Sequence, residues 1–328
     1  MNFRKLINKK GFFLIAEIGN NHGGDIGLAK KLILSAHKAG ADAVKLQYIN
    51  PESFIHPSQK NRLNQLKKIC LDKDQVKKLY SFAKKRGINL FSSVFDLKEI
   101  KFFAKKQKYF KIASGDNNLE FLYKEVSKYK KPTFISTGFL NHKTIKLVYK
   151  NVEKYWSKKF SKNNICIMHC VSSYPTKDIE LNLRSILELD KNYIKGYSDH
   201  SKGIINCIIA FVLGAKVIEK HFTHNKKIKS FRDHELSADY KDFIKLRNEL
   251  TLIKSKLGNK KKKLSLSESK DSYLSRRSPV YNKNLKKNYK LLIDDIDHLR
   301  PEKKKSNKMI KKLINKRLKS KKVKYTYL

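Results

Sequence analysis

The chain has 328 residues, 40% of them hydrophobic, which is enough to bury a large core and excludes a disordered chain. Its 75 lysines and arginines stand against 29 acidic residues, for a formal net charge of +46. Because this excess is dispersed and not interleaved with aromatic residues, we interpret it as a lysine-rich surface that attracts anionic substrates; nucleic-acid or membrane binding is the alternative.

Cysteine use and hydropathy indicate the compartment. Cys70, Cys166, Cys170 and Cys207 form no CxxC pair and no set with the spacing of metal ligands. Free thiols are typical of a reducing compartment. No apolar run approaches the ~18 residues that a membrane-spanning helix needs. We therefore expect a cytoplasmic protein with no membrane-spanning segment.

Short β-branched or aromatic runs alternate with helix-period segments from residue 12 onward. Residues 28–40, for example, place apolar side chains on one stripe and end at Gly40, as an amphipathic helix does. The predicted strands span residues 12–19, 43–47, 89–95, 109–114, 132–137, 164–170, 194–200 and 217–223. Eight strands, each followed by a helix, predict an α/β fold of the (β/α)8 TIM-barrel type. A doubly wound sheet is the alternative, but no GxGxxG follows the first strand.

The composition changes after a long predicted helix at 237–258. Residues 259–272 are polar and basic and are predicted to form a linker. Beyond them, residues 273–328 read as a small, mostly β or irregular domain. We therefore predict a barrel domain over 1–258, a linker over 259–272 and a small domain over 273–328.

The carboxyl end of every predicted strand carries polar side chains that a buried strand should avoid. One such residue alone is more often a helix cap or a satisfied core residue, but eight strands share the feature. In a TIM barrel these ends converge on one mouth, where active sites of this fold lie. The set comprises Glu17, Asn20, Asn21, His22, Lys45, Gln47, Ser92, Ser93, Lys111, Ser114, Ser136, Thr137, His169, Ser172, Ser173, Tyr174, Ser198, Asp199, His200, Glu219, His221 and Thr223.

The residue types at these ends indicate the chemistry. Lys45 and Lys111, together with five serine hydroxyls, make a cationic, donor-rich site that suits a phosphate monoester. His200 and His221 end adjacent strands and can converge on one metal ion, with Glu17 or Asp233 nearby. Two histidines with a carboxylate or water suit Mn²⁺, Mg²⁺ or Zn²⁺.

These residues lie in blocks that resemble the sialic acid synthase family, which makes N-acetylneuraminate, legionaminate and pseudaminate. The blocks are AEIGNNHGG, AVKLQ, FKIASG, FISTG, HCVSSYPT, GYSDHS, EKHFT and FRDHELS, in the family's order across residues 12–240. From Tyr273 onward, RRS, DIDHLRP and KKLINKRL resemble the small antifreeze-like (SAF) domain that ends these enzymes. The match of eight blocks in order is far more specific than any one of them.

The resemblance implies a metal-dependent condensation of phosphoenolpyruvate with an N-acylated hexosamine aldehyde, giving a nonulosonic acid and phosphate. The acceptor would be N-acetylmannosamine or a diamino-dideoxy relative. His200 and His221 would hold the metal, Mn²⁺ or Mg²⁺, and Glu17 and His221 would be catalytic. Phosphoenolpyruvate would be bound by Lys45, Ser93, Lys111, Ser114, Ser136, Ser172 and Ser198, and the sugar by Gln47, Tyr174, Asp233 and Arg300.

Arg300 matches the arginine that, in this family, reaches from the SAF domain into a partner subunit's barrel. The resemblance therefore implies a domain-swapped homodimer. Asn288, Glu302 and Asn315 stand where glycines are expected in turns of the SAF domain. We therefore expect the SAF-like tail to be degenerate.

Three other functions fit parts of the sequence. The first is a 3-deoxy-aldulosonate synthase that uses phosphoenolpyruvate with a phosphorylated sugar; the tail and HCVSSYPT argue against it. A Schiff-base aldolase that uses Lys45 or Lys111 is the second. The third is a nucleic-acid-binding protein that uses the tail, where residues 259–328 hold 24 basic and 6 acidic side chains.

Overall fold

The structure is a computed structural model that describes residues 2–229, 231–258, 261–303 and 306–328. The chain divides into two compact units, Met1–Leu257 and Gly258–Leu328. Residues 259 and 260, where the predicted linker begins, lie outside the described residues.

The first unit is built on one parallel sheet of eight strands. Its hydrogen-bonded order is β3-β2-β1-β8-β7-β6-β5-β4, and the two end strands, β3 and β4, come within 8 Å of each other at Cα, so the sheet closes on itself. This confirms the predicted TIM barrel, and each strand lies within its predicted range or exceeds it by one residue. The strands are β1 Phe13–Gly19, β2 Ala43–Tyr48, β3 Leu90–Val94, β4 Phe110–Ile112, β5 Thr133–Ser136, β6 Ile165–Cys170, β7 Ile194–Asp199 and β8 Val217–His221.

Helices follow the strands and cover the outside of the barrel. Asp72 shows how the sequence starts one of them: its side chain accepts from the N–H of Gln75 while the Gln75 side chain bonds back to Asp72, a capping box. The helices of this unit are α1 Phe3–Lys10, α2 Ile26–Lys38, α3 Pro51–Phe54, α4 Lys60–Ile69, α5 Lys73–Lys85, α6 Ile100–Lys106, α7 Glu120–Ser127, α8 Lys146–Tyr155, α9 Lys158–Asn164, α10 Ser185–Glu188, α11 Ile205–Val212, α12 Asp233–Leu236 and α13 Tyr240–Leu257.

An aromatic cluster fills the amino-terminal end of the barrel. Phe3 of α1 is fully buried, and its ring lies 5.1 to 5.6 Å from those of Phe13, Tyr109 and Phe134. Since side chains alternate between the two faces of a strand, the inward positions of β1 are Phe13, Ile15 and Glu17. The first two pack in this apolar interior cluster. Polar groups inside the barrel are therefore concentrated at its carboxyl end.

The second unit contains a two-stranded antiparallel sheet, β9 Ser278–Tyr281 and β10 Ile296–Leu299, with Ile296 opposite Tyr281. This sheet confirms the β element predicted for the tail, and the structure adds α14 Leu266–Ser275 and α15 Ser306–Leu313. α14 begins inside the segment that we predicted as a linker. The unit's small core comprises Tyr281, Leu285, Leu291, Ile296 and Leu318.

Two asparagines adopt the backbone conformation that the missing glycines would have provided. Asn288 and Asn315 have φ angles of 68° and 62°. Asparagine tolerates this left-handed region better than most residues because its short polar side chain bonds locally. The absence of glycine at these positions therefore leaves the turns intact, while the assignment of the unit as a SAF domain stays a prediction.

Within the described residues, no helix combines the length and the apolar character that crossing a bilayer requires. All four cysteines are free thiols, and three of them are buried.

Candidate active site

Side chains from the carboxyl ends of the barrel strands line one small cavity. The predicted site residues among them are Glu17, Lys45, Gln47, Ser93, Lys111, Ser114, Ser136, Tyr174, Ser198, His200 and His221. Phe95, Ala113, Cys170 and Glu219 complete the lining; Glu219 was predicted at the mouth without an assigned role, and the other three were not predicted there. The individual roles stay predictions, but the structure places these groups together.

Glu219 is the centre of a buried charge cluster. Its Oε1 lies 2.8 Å from Lys111 Nζ and 3.2 Å from Lys45 Nζ, and it accepts a hydrogen bond from Ser198 Oγ at 2.9 Å. Lys45 Nζ also lies 3.3 Å from Glu17 Oε2. The sequence signal for Glu219 was its position two residues before His221, which places both side chains on the inward face of β8.

Burial and mutual charge set the protonation of this cluster. Burial raises the pKa of Glu17 to about 7, a shift that the charge of Lys45 opposes. Burial would raise the pKa of Glu219 as well, but Lys111 and Lys45 outweigh it and hold that pKa below its usual value. Near neutral pH the two lysines therefore face one full and one partial negative charge, which leaves the cavity able to accept an anion.

The serine side of the cavity depends on Gly138, just after β5. The Gly138 N–H donates to Ser114 Oγ at 3.1 Å, and the Asn117 side chain donates to the carbonyls of Ser136 and Gly138 at 3.1 and 2.9 Å. Ser136 Oγ is buried and has no hydrogen-bond partner in the described part of the chain. The turn thus holds an available hydroxyl at the cavity, as binding of a phosphate oxygen requires.

We expect Gly138→Ala to weaken phosphoenolpyruvate binding. A Cβ at this position would lie 2.6 Å from Ser114 Oγ and closer still to Ser172 Oγ, so both hydroxyls must move. Since a displacement of about 1 Å at a reacting site can cost on the order of 10²-fold, we expect a loss of that order in kcat/KM for phosphoenolpyruvate, chiefly through KM.

Gly115→Ala is the matched control for this substitution, since a Cβ at Gly115 meets nothing within 4 Å. Steady-state kinetics of both variants at saturating acceptor test the prediction. An unchanged KM in Gly138→Ala would contradict the prediction that Ser114 binds phosphoenolpyruvate.

His200 and His221 lie together, with ring centroids 5.4 Å apart. His200 Nδ1 lies 2.8 Å from the carbonyl oxygen of Val171, which orients the ring, and Tyr174 packs 4.1 Å from it. Burial holds the pKa of His221 well below its usual value, so this imidazole is neutral at physiological pH. A neutral imidazole is the form that binds a metal.

The residues present fit a divalent cation that is also coordinated by substrate or water. His221 Nδ1 is buried, has no hydrogen-bond partner among the described residues, and lies 3.6 Å from Asp233 Oδ2. Across the described segments, no three His, Cys, Asp or Glu side chains form a complete metal-binding group. The protein thus offers two imidazoles and a nearby carboxylate, a partial set of the kind that catalytic sites use.

Three predicted site residues lie outside the cavity lining. Ser172 Oγ is 4.0 Å from Sγ of the lining residue Cys170, and Asp233 Oδ2 is 3.6 Å from Nδ1 of the lining residue His221. Arg300 is exposed and belongs to the second unit. Its predicted contact with the sugar therefore stays a prediction.

Fold and site together define a TIM barrel whose carboxyl-end cavity holds two buried lysines, two carboxylates and two histidines. A sequence model of the NeuB family matches residues 32–262. The chain therefore belongs to the NeuB family.

The names of similar proteins agree with this family. The chain is 36% identical to the N,N'-diacetyllegionaminic acid synthase of Campylobacter jejuni, over 85% of this chain and 87% of that protein. It is 33% identical to the pseudaminic acid synthase of the same species, over 89% and 88%. Among solved structures, N-acetylneuraminic acid synthetase from Leptospira borgpetersenii in complex with citrate is 32% identical. It has a TM-score of 0.73, and the match covers 79% of this chain and 90% of that one.

Proposed function

We propose that this protein condenses phosphoenolpyruvate with an N-acylated hexosamine aldehyde and water to give a nonulosonic acid and phosphate. The observation that carries the proposal is the buried cluster of Lys45, Lys111 and Glu219 beside His200 and His221. The lysine side of this cavity suits an anionic phosphate ester, and the two histidines would suit a divalent cation. Membership of the NeuB family and the names of its relatives support the same chemistry.

The reaction forms a bond from C3 of phosphoenolpyruvate to the aldehyde carbon, while water adds at C2 and phosphate leaves by C–O cleavage. Lys45 and Lys111 hold the carboxylate and phosphate, and the hydroxyls of Ser93, Ser114, Ser136, Ser172 and Ser198 complete the set. These donors hold the enol ester in place and fix its orientation toward the acceptor.

Glu17 carries the proton transfer in this proposal. Its Oε1 accepts from Gln47 Nε2 at 2.9 Å, so the carboxylate is held toward the side where the sugar would bind. A carboxylate with a pKa of about 7 can take a proton from water or from a sugar hydroxyl at physiological pH and return it.

His200 and His221 would hold a divalent cation, Mn²⁺ or Mg²⁺. Such a cation, when bound, supplies Lewis acidity toward the aldehyde oxygen. Tyr174 packs against His200, and the guanidinium of Arg232 lies 4.4 Å from the Tyr174 ring, so these two residues form a wall beside the metal ligands. With Gln47 and Asp233 they make the sugar side of the cavity in this proposal.

Removal of divalent metal is expected to stop phosphate release. The assay mixes phosphoenolpyruvate with N-acetylmannosamine or with diamino-dideoxy hexoses and measures phosphate, with and without EDTA. We expect release that needs both substrates, stops with EDTA, returns with Mn²⁺ or Mg²⁺, and is lost in a folded His221→Ala variant. His37→Ala, a substitution in the last turn of α2, is the control.

Two results would contradict parts of the proposal. Phosphate release that is undiminished by EDTA would overturn the metal role. Release with phosphorylated sugars alone would overturn the acceptor class and favour a 3-deoxy-aldulosonate synthase.

The domain-swapped homodimer also belongs to the proposal. In it, Arg300 of one chain would contact the sugar bound in its partner's barrel. The prediction of a cytoplasmic location rests on the four free cysteines.

A further inference from the structure

A buried ion pair outside the cavity lies on the outward face of β7, which leads to His200, and of β8, which ends at His221. Lys220 Nζ is 2.7 Å from Asp199 Oδ2, and both side chains have 0% exposure. Asp199 and Lys220 are register partners in the pairing of β7 with β8. Since Ser198 and Glu219, the preceding partners, line the cavity, strand alternation directs Asp199 and Lys220 outward.

The pair also holds the backbone on the far side of His200. Asp199 Oδ1 accepts hydrogen bonds from the N–H and the hydroxyl of Ser201, at 3.0 and 2.6 Å. Lys220 Nζ donates to the carbonyl oxygen of the same Ser201. β7 ends at Asp199, so His200 lies just beyond the strand and its hydrogen-bond ladder. The turn that carries His200 is therefore tied at both ends by this ion pair.

Asp199 is held by more donors than an ion pair alone requires. The hydroxyl of Tyr197 donates to Oδ1 at 2.9 Å and the thiol of Cys207 to Oδ2 at 3.3 Å. A fully buried ion pair is weak evidence for a gain in stability, because desolvation of the two charges offsets most of their attraction. A positional role explains why the sequence places both charges here.

We propose that the Asp199–Lys220 pair positions His200 relative to His221 and thereby sets the affinity of the site for a divalent cation. The two residues act as positioning residues, since neither lines the cavity. The inference rests on the proposed metal role of the two histidines. Groups that orient metal ligands from behind typically change metal affinity about 10–100-fold when they are removed.

The test measures Mn²⁺ binding to the full-length chain by the electron paramagnetic resonance signal of free Mn²⁺. Asp199→Asn/Lys220→Met removes both charges together, so no buried charge is left without a partner. Lys220→Met is the second variant, and in it Asp199 keeps its contacts with Tyr197, Ser201 and Cys207. For each of these two variants that folds, we expect the Kd for Mn²⁺ to be about 10–100-fold higher than that of the unsubstituted chain.

A kinetic readout separates positioning from general loosening. We expect the Mn²⁺ concentration for half-maximal activity to rise, kcat to recover at saturating Mn²⁺, and KM for phosphoenolpyruvate to stay unchanged. Asp42→Asn is the control: the Asp42 side chain is only 4% exposed, pairs with Lys10 and Arg247, and lies just before β2, at the opposite end of the barrel. This control should lower stability without changing the Kd for Mn²⁺.

The outcomes distinguish this inference from the proposed function. If the unsubstituted chain binds Mn²⁺, His200→Ala loses it and a folded Lys220→Met variant keeps the full affinity, the positioning role alone is overturned. If the unsubstituted chain and His200→Ala bind Mn²⁺ equally, the metal role in the proposed function is overturned, and the positioning role with it.

Discussion

Glu219→Gln is expected to destabilise the protein strongly and to make its stability depend on phosphoenolpyruvate. The substitution keeps the shape of the side chain but removes the negative charge shared by Lys45 and Lys111. Lys111 is then left beside the sulfur of Met168, at 3.5 Å, as its remaining polar contact in the described structure. Breaking a buried pair by neutralising one partner typically costs about 3–5 kcal/mol, and we expect a loss of that size in the free energy of unfolding.

Phosphoenolpyruvate should recover part of this loss. Its carboxylate and phosphate would supply the negative charge that the two lysines no longer receive from Glu219. A ligand that binds the native state alone raises the free energy of unfolding with its concentration. We therefore expect phosphoenolpyruvate to shift the urea midpoint of Glu219→Gln more than that of the unsubstituted protein.

Glu52→Gln provides the matched control, because Glu52 also pairs with a lysine, Lys67 at 2.8 Å, but is largely exposed. Surface pairs of this kind contribute little to stability, so its unfolding curve should be unchanged. Equal stabilisation of Glu219→Gln and the unsubstituted protein by phosphoenolpyruvate would contradict its placement on Lys45 and Lys111.

The barrel and the composition of its mouth could be predicted because both follow from short-range patterns. Eight apolar runs with polar ends predict a shared mouth from two rules alone. Side chains alternate between the two faces of a strand, and the carboxyl ends of the parallel strands converge in a barrel. Glu17, Lys45, Lys111, His200 and His221 all lie in the cavity for this reason. Glu219 satisfied the same pattern, but its carboxylate was not expected within a site for an anion.

Other features depend on pairing between strands, which one sequence does not specify. Lys220 reads as a solvent-facing lysine until the register of β7 and β8 places it opposite Asp199. Asn21 stood in a loop with no assigned role, and the structure shows its amide donating to the Phe222 carbonyl and to Ser237 Oγ, at 2.9 and 3.1 Å. The Lys220–Asp199 contact joins residues 21 apart along the chain, and the two Asn21 contacts join residues 201 and 216 apart.

Glu17→Gln should lower kcat/KM for phosphoenolpyruvate and remove an inflection from its pH profile. Burial raises the pKa of Glu17 to about 7, so the carboxylate is protonated below that pH and free to accept a proton above it. If Glu17 acts as a general base, kcat/KM rises with pH up to about 7 and then levels off. Loss of such a base typically costs about 10²–10⁴-fold, and we expect the variant to give a lower profile without this step.

The ratio of kcat/KM in the unsubstituted protein to that in Glu17→Gln isolates Glu17, because the ionisation of phosphoenolpyruvate affects both proteins equally and cancels. Asp116→Asn is the control, since burial raises the pKa of Asp116 to about 6 although this carboxylate does not line the cavity. That variant should keep the inflection near pH 7. If Glu17→Gln also kept the inflection near pH 7, and its kcat/KM fell only a few-fold, the proton would be carried by another group.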